Sequence, residues 1–270
     1  MSITRLDISL ERYEVGLSGA VPNREDWSEP AMDRGILEFV SLFSGLVIKY
    51  GGRIVHGCHP TFTPILLRQA RLHGSRRQRK PLTLIMSDLW AQSLPADEIS
   101  AMADIAEFIV TKKLGSGGPA DVTTRNQSLS AMRRVLIDSQ NVMVAVGGKM
   151  HSHDQKVPGV GEEMGLAEKK RIPRFLVGGL GGFARKLASE ITPSHLNNAL
   201  SHEANAALFG SNDVASCVSI LFEHFASSSQ LAQASFQPVL WNPGTKKILD
   251  HRDGTIAVES SDCILRAEAV

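Results

Sequence analysis

Apolar and polar positions alternate along the chain in two rhythms. Short, nearly unbroken apolar runs read as buried strands over 14–20, 53–57, 82–86, 108–111, 141–146 and 173–177. Between them lie longer stretches with apolar residues at helical spacing. Over 31–50, residues Ile36, Phe39, Val40, Phe43 and Val47 share one face, and Gly51-Gly52 stops the helix. The same reasoning predicts helices from Thr61 onward and over 96–106, 121–139 and 159–171, with a polar loop over 22–30. Strands that alternate with helices imply an α/β fold: a Rossmann-like, mostly parallel sheet of six or seven strands with helices on both faces.

Beyond about Leu187 the pattern weakens. The stretch 193–226 reads as helical, Ser227-Ser228-Ser229 as a loop, Trp241-Asn242-Pro243-Gly244 as a turn and 254–258 as a small strand. The expected organisation is a nucleotide-binding-type domain over 1–187. A C-terminal helical extension over 188–270 is packed on the same domain. There is no internal repeat.

Composition acts mainly by exclusion. With 43% hydrophobic and 21% charged residues among 270, the chain can bury a core. Twenty-nine Lys and Arg against 28 Asp and Glu leave a net charge of +1, which argues against a general polyanion binder. The basic run from Arg68 to Lys80, including Arg76 and Arg77, has no interleaved aromatics, which does not encourage a single-strand nucleic-acid reading. It reads as a solvated helix end or a partner contact. Cys58, Cys217 and Cys263 are odd in number and lack CxxC spacing, which speaks against disulfides and structural zinc. The first residues carry no apolar secretory core, and no run approaches the ~20 apolar residues of a membrane span. The expectation is a cytoplasmic protein with no metal and no membrane contact.

Ligands of open α/β sheets bind beyond the carboxyl ends of the strands. Four turns there carry candidate chemistry. In the first, Gly16 and Gly19 admit backbone N–H groups to a phosphate and Ser18 adds a hydroxyl; a plain tight turn is the alternative. In the second, a strand runs through Cys58 and His59 into a helix start with Thr61 and Thr63, where orphan N–H groups favour an anion. His59 could bond a ribose or a phosphate, and Thr61 could equally be a simple cap. A metal held by His56, Cys58 and His59 lacks a fourth ligand.

The third turn is Gly147-Gly148-Lys149, followed by a polar loop over 151–156 and then Pro158-Gly159-Val160-Gly161-Glu162-Glu163. Lys149 offers a charge to phosphate. Glu162 and Glu163 either complement the helix dipole or bind ribose hydroxyls and act on a glycosidic carbon. The fourth turn is Gly178-Gly179 with Gly181-Gly182 beyond; it either lines the same cleft or allows close helix–strand packing.

Taken together, the GGK turn, the PGVGEE helix start, the LVGGLGG turn and the GCHPTFTP strand-to-helix turn resemble the SLOG superfamily over about residues 15–183. That group takes its name from the Smf/DprA proteins of DNA uptake and the cytokinin-activating LOG enzymes. The resemblance implies a Rossmann-like domain that binds nucleotide derivatives. By analogy with the LOG motif PGGxGTxxE and its upstream Arg, Gly147-Gly148 match the leading glycines and Glu163 the catalytic Glu. This chain differs by the insertion of 149–157 and by the missing Thr. The inserted form is closer to the sensor SLOG domains of Thoeris defence effectors, which bind a cyclic ADP-ribose isomer made by a partner TIR protein. There Lys149 and Glu163 would contact phosphate and ribose. The resemblance also implies a homo-oligomer, no bound cofactor, and a TIR-domain or other defence protein as partner. Three readings stay open: a module that recognises an NAD-derived nucleotide such as ADP-ribose or cyclic ADP-ribose, a LOG-like nucleotide N-glycosidase with Glu163 catalytic, and a structural or interaction role in which the basic cluster around Arg76 is the partner surface.

Overall fold

The computed structural model describes residues 8–23, 30–74, 79–151, 157–236, 246–248, 255–260 and 263–268. They divide into two compact units, Leu10–Glu223 and Met1–Ser9 with His224–Val270.

The larger unit is built on six strands: β1 (Glu14–Ala20), β2 (Arg53–His56), β3 (Leu82–Ser87), β4 (Ala106–Thr111), β5 (Val142–Gly147) and β6 (Arg174–Val177). All pair in parallel, in the order β4-β3-β2-β1-β5-β6. The chain winds outward from β1 to β4, then returns to place β5 on the other side of β1. The β1/β5 junction is therefore the topological switch point, where this class of sheet opens a crevice. β5 is buried along its whole length, which explains its unbroken apolar run.

Helices α1 (Pro30–Lys49), α2 (Thr63–His73), α3 (Asp88–Ala91), α4 (Ala96–Ala103), α5 (Val122–Asp138), α6 (Gly159–Lys169) and α7 (Gly182–Glu190) connect or follow the strands. Register sorts their partners. Gly16 lies opposite Val55 and Met143, and Ser18 opposite Ala145. Val55, Met143 and Ala145 join Met132 and Leu136 of α5 and Val160 and Met164 of α6 in one core cluster. Ser18 thus points to the α5–α6 face. The expected face of α1 is buried, with Ile36, Phe39, Val40, Phe43 and Val47 excluded from solvent.

At the amino ends of the strands the buried Arg53 ties four elements together. It reaches Glu14 at 3.2 Å, Glu107 at 2.8 Å, Thr83 Oγ1 at 2.6 Å and the Lys80 carbonyl at 2.9 Å. Arg79, from the basic run, pairs with Glu14 at 2.7 Å; Arg76 and Arg77 lie outside the described residues.

The stretch expected as one helix over 193–226 is three: a 3-10 turn at Pro193–Leu196, α8 (His202–Gly210) and α9 (Val214–Phe236). The break has a polar cause. Asn198 Nδ2 donates to the Arg174 carbonyl at 2.6 Å, and the Asn198 and Asn205 carboxamides bond each other at 3.0 and 3.1 Å. Ser201 caps α8 by accepting from Ala204 N at 3.2 Å. Ser227-Ser228-Ser229, expected as a loop, continues α9 instead, since serine is only mildly unfavourable inside a helix otherwise rich in apolar residues. α3 is a single turn, too short to show a helical period, and α7 begins at Gly182, inside the stretch read as a glycine-rich turn.

In the smaller unit, β7 (Lys246–Ile248), β8 (Thr255–Ser260) and β9 (Cys263–Glu268) form an antiparallel sheet in that order. The sequence suggested only the strand near 254–258. The turn Trp241–Gly244 lies outside the described residues.

Candidate functional site

A cavity of about 1030 Å³ opens beyond the carboxyl ends of β1, β2, β3 and β5. That is at the top of the roughly 300–1,000 Å³ range of small-molecule sites. Its lining follows the strand order. At the β5 end stand Gly148, Lys149, Gly159, Glu162 and Glu163; Ser18 and Gly19 come from β1, and Cys58 and His59 follow β2. At the β3 end stand Met86 and Trp90, with Leu94 and Met102 close by in sequence.

The third turn is built by two left-handed glycines. Gly147 has φ +65° and Gly148 φ +93°. Gly148 N donates to the Ala20 carbonyl at 2.7 Å, and Gly148 O accepts from Phe183 N at 3.1 Å. A Cβ on Gly148 would lie 2.6 Å from Val160 Cγ2. Glycine here lets the chain pass close under the start of α6 and release Lys149, which is exposed, at the cavity.

α6 begins at Gly159 after Pro158, which provides no side-chain cap. The first intrahelical-type bond is Glu162 N to Pro158 O at 3.0 Å. The N–H groups of Gly159, Val160 and Gly161 precede it and carry the positive end of the helix dipole. Glycine at 159 also admits Arg133, whose Nη2 would sit 2.6 Å from an added Cβ.

Arg133, on α5, is a cavity-lining residue that the sequence did not single out. Its Nη1 donates to Glu162 Oε2 at 2.6 Å, and its Nε faces Glu163 Oε1 at 3.5 Å. The Glu163 carboxyl is raised above the ordinary glutamate range. Burial is the main cause; Arg133 and the neighbouring Ser18 hydroxyl pull the other way, and Glu162 adds to the rise. Ser18 is itself buried, and its Oγ has no bond of normal geometry among the described residues. Ser18, Arg133 and Glu163 therefore form a buried polar cluster with bonding capacity unused.

The second turn is a fixed scaffold. Cys58 adopts φ +54°, and the kink is closed by His59 N donating to His56 Nε2 at 3.2 Å. His56 Nδ1 lies 2.8 Å from the Leu17 carbonyl and so carries the proton. With both ring nitrogens engaged, His56 is a structural brace, and burial lowers its pKa. Thr61 N donates to His59 Nδ1 at 3.3 Å, and the Thr61 hydroxyl lies 2.9 Å from the same nitrogen. Nδ1 is thus unprotonated, which leaves the His59 proton on Nε2 as a donor at the cavity. Burial, His56 and Lys149 lower its pKa to about 4, so the ring is neutral at physiological pH. The Cys58 thiol is pushed up to about 12 by burial, which removes it as a nucleophile.

Of the residues singled out by sequence, the fold gathers Ser18, Gly19, His59, Gly148, Lys149, Gly159, Glu162 and Glu163 around the cavity. Gly147 lies directly beneath, against the Ala20 carbonyl. The other four stand outside the lining. Gly16 is inside β1, not in a turn, where the Gln140 side chain occupies the space of a Cβ. Thr61 sits behind His59 as its brace and accepts from Val21 N at 3.3 Å. The N–H groups of Phe62 and Thr63 bond the His59 carbonyl, so this helix start is closed to an anion. Gly178 and Gly179 serve packing: both N–H groups bond the Leu208 carbonyl, and a Cβ on Gly179 would lie 1.8 Å from Ser211 O. Arg133 could have been found as an arginine set beside the apolar stripe of α5, one residue past Met132.

Among the described residues no helix is long and apolar enough to cross a membrane, and no group of three His, Cys, Asp or Glu is arranged to hold a metal.

No curated protein matches the chain. Two solved structures are similar at low identity. One is the X-ray structure of TM1055, a structural-genomics target, with 14% identity over 78% of this chain and 99% of that chain, at a TM-score of 0.47. The other is DNA processing protein A from Helicobacter pylori, a single-stranded DNA binder, with 13% identity over 68% of this chain and 86% of that chain, at a TM-score of 0.37. The family model described as SLOG cluster2 matches residues 21–224, the span that contains every strand of the parallel sheet but β1 and every wall of the cavity but the β1 end. The chain belongs to this SLOG family of nucleotide-binding, Rossmann-like domains.

Proposed function

We propose that the cavity recognises a nucleotide-derived ligand, with NAD-derived molecules such as ADP-ribose or cyclic ADP-ribose as the leading class. The observation that carries this reading is the uncapped start of α6 beside Gly148 and Lys149. Three backbone N–H groups, a helix dipole and an ammonium group converge there, as a phosphate requires. One turn further on, Glu163 offers carboxylate oxygens to ribose hydroxyls, supported by Arg133. The His59 Nε2–H is a further neutral donor in the same cavity.

The biological setting follows from the resemblance of the GGK, PGVGEE and LVGGLGG segments to nucleotide-sensing SLOG domains. On that basis the protein acts in bacterial signalling or antiviral defence in the cytoplasm. It works as a homo-oligomer, with a TIR-domain or other defence protein supplying the ligand. Calorimetric titration with AMP, ADP-ribose and cyclic ADP-ribose tests the recognition reading. Saturable binding of at least one supports it, and no binding of any at millimolar concentration refutes it.

A second reading has its own observation. A buried glutamate with a raised pKa beside an arginine suits proton transfer or stabilisation of a cationic sugar. In this reading the protein is a LOG-like nucleotide N-glycosidase with Glu163 catalytic. Chromatography of the incubated nucleotide decides. Free base released by wild type and not by Glu163→Gln supports the enzyme; intact nucleotide in both rules it out and leaves the titration to decide recognition.

A further inference from the structure

The β3 end of the cavity is chemically unlike the β5 end. Of the eight methionines in the chain, three line this one cavity: Met86, Met102 and Met132. With them stands Trp90, half-buried on α3. Its ring has no stacking partner among the described residues. The turn that carries it is held firmly. Ser87 Oγ accepts from Leu89 N at 3.3 Å, Gln92 Nε2 donates to Asp88 Oδ2 at 2.7 Å, and Ser93 Oγ donates to the Trp90 carbonyl at 2.7 Å. An indole on a braced turn is therefore presented to a cavity that three polarizable thioethers also line.

From this we infer that Trp90 stacks on the planar heteroaromatic base of the ligand and sets the preference for base-bearing over base-free sugar phosphates. The inference rests on the proposed phosphate position at the start of α6 and adds where the other end of the ligand lies. Three considerations favour a base. Flat aromatic faces and thioether sulfurs both gain most against another π-system. The span also fits: β3 and β5 are three strand spacings apart, roughly 14 Å. A sugar phosphate anchored at α6 falls short of Trp90, whereas a nucleotide extends toward it. The rim of this end carries Asn126, Ser130 and Glu98, polar groups suited to a base edge and not to a hydrocarbon.

The test is calorimetric titration of the full chain with AMP and with ribose 5-phosphate, using wild type, Trp90→Phe and Trp90→Ala. Wild type binds AMP more tightly than ribose 5-phosphate. Trp90→Ala loses about ten- to a hundredfold in AMP affinity, the usual effect of removing a stacking platform. It keeps its ribose 5-phosphate affinity, which also shows that it is folded, and Trp90→Phe retains most AMP binding. Equal affinity of wild type for both probes, or an equal loss of both in Trp90→Ala, overturns the inference while leaving the phosphate site standing. Binding of neither probe by wild type overturns the phosphate site and this inference with it. Should Trp90→Ala not fold, the fluorescence of Trp90 in a Trp27→Phe, Trp241→Phe background reads the same contact. AMP quenches it and ribose 5-phosphate does not; no quenching by bound AMP overturns the inference.

Discussion

Arg133 on α5 donates to Glu162 on α6 at 2.6 Å, and this bond fixes the helix face from which Glu163 enters the cavity. The pair is partly buried, so its contribution lies between that of a surface bridge and that of a fully desolvated one. Arg133→Ala leaves two neighbouring carboxylates without their cation. The expected cost is about 2–3 kcal/mol, between the surface and buried cases. Chemical denaturation reads it. Arg133→Lys recovers only part, since an ammonium cannot face both carboxylates as the guanidinium fork does.

Glu163→Gln separates ligand contact from folding. Glu162 keeps Arg133 paired, and the amide spares the fold a buried charge that desolvation disfavours. Thermal stability is therefore held or slightly raised. Ribose hydroxyls lose a charged acceptor worth about 1.5–3 kcal/mol, so affinity for AMP falls by about ten- to a hundredfold. Titration and thermal melting on the same sample check both halves.

Three glycines with different neighbours give different outcomes. Gly165 in α6 has nothing within 4 Å of an added Cβ, so Gly165→Ala stabilises by up to about 1 kcal/mol. Gly179 meets Ser211 O at 1.8 Å, so Gly179→Ala displaces α8 and lowers the melting temperature while the α6 phosphate position keeps its affinity. Gly148→Ala does both kinds of damage. It costs about 1–2 kcal/mol for the left-handed backbone alone. It also pushes Val160 from the phosphate position, so binding weakens with stability.

Protonation of His59 couples stability to pH. Its pKa is lowered to about 4 in the folded chain, from 6.5, so the unfolded chain takes up the proton first as pH falls. The stability is complete above about pH 6.5 and is lost as pH drops toward about 4. His56, also lowered by burial, acts in the same direction. His59→Gln should flatten the fall in melting temperature across that window relative to wild type. An unchanged slope would show that His59 is not held neutral.

The sheet was legible because most of its strands are buried on both faces; only the edge strand β4 is half-exposed. The runs ending at Val146 and Val177 have no other stable home. The third turn was legible because two consecutive glycines before Lys149, and a glycine directly after Pro158, have few uses besides close backbone approach. Gly16 misled for a physical reason: glycine in a strand can make room for a neighbour, here Gln140, as well as form a turn. The same ambiguity held for Gly178 and Gly179, where the missing Cβ admits α8. Arg133 and Trp90 were hidden because their roles depend on α5 and α3 converging on the edge of a sheet, and no local spacing encodes that meeting.

Phosphate recognition at the start of α6 underlies every ligand contact proposed for the cavity. ADP-ribose is titrated calorimetrically into wild type and into Lys149→Glu, which places a carboxylate where the phosphate is expected. Wild type is expected to bind saturably, one to one. The variant is expected to lose at least tenfold, with its melting temperature unchanged because Lys149 is exposed. Wild-type binding that Lys149→Glu leaves intact, or no wild-type binding at millimolar ligand, would contradict phosphate recognition at this site.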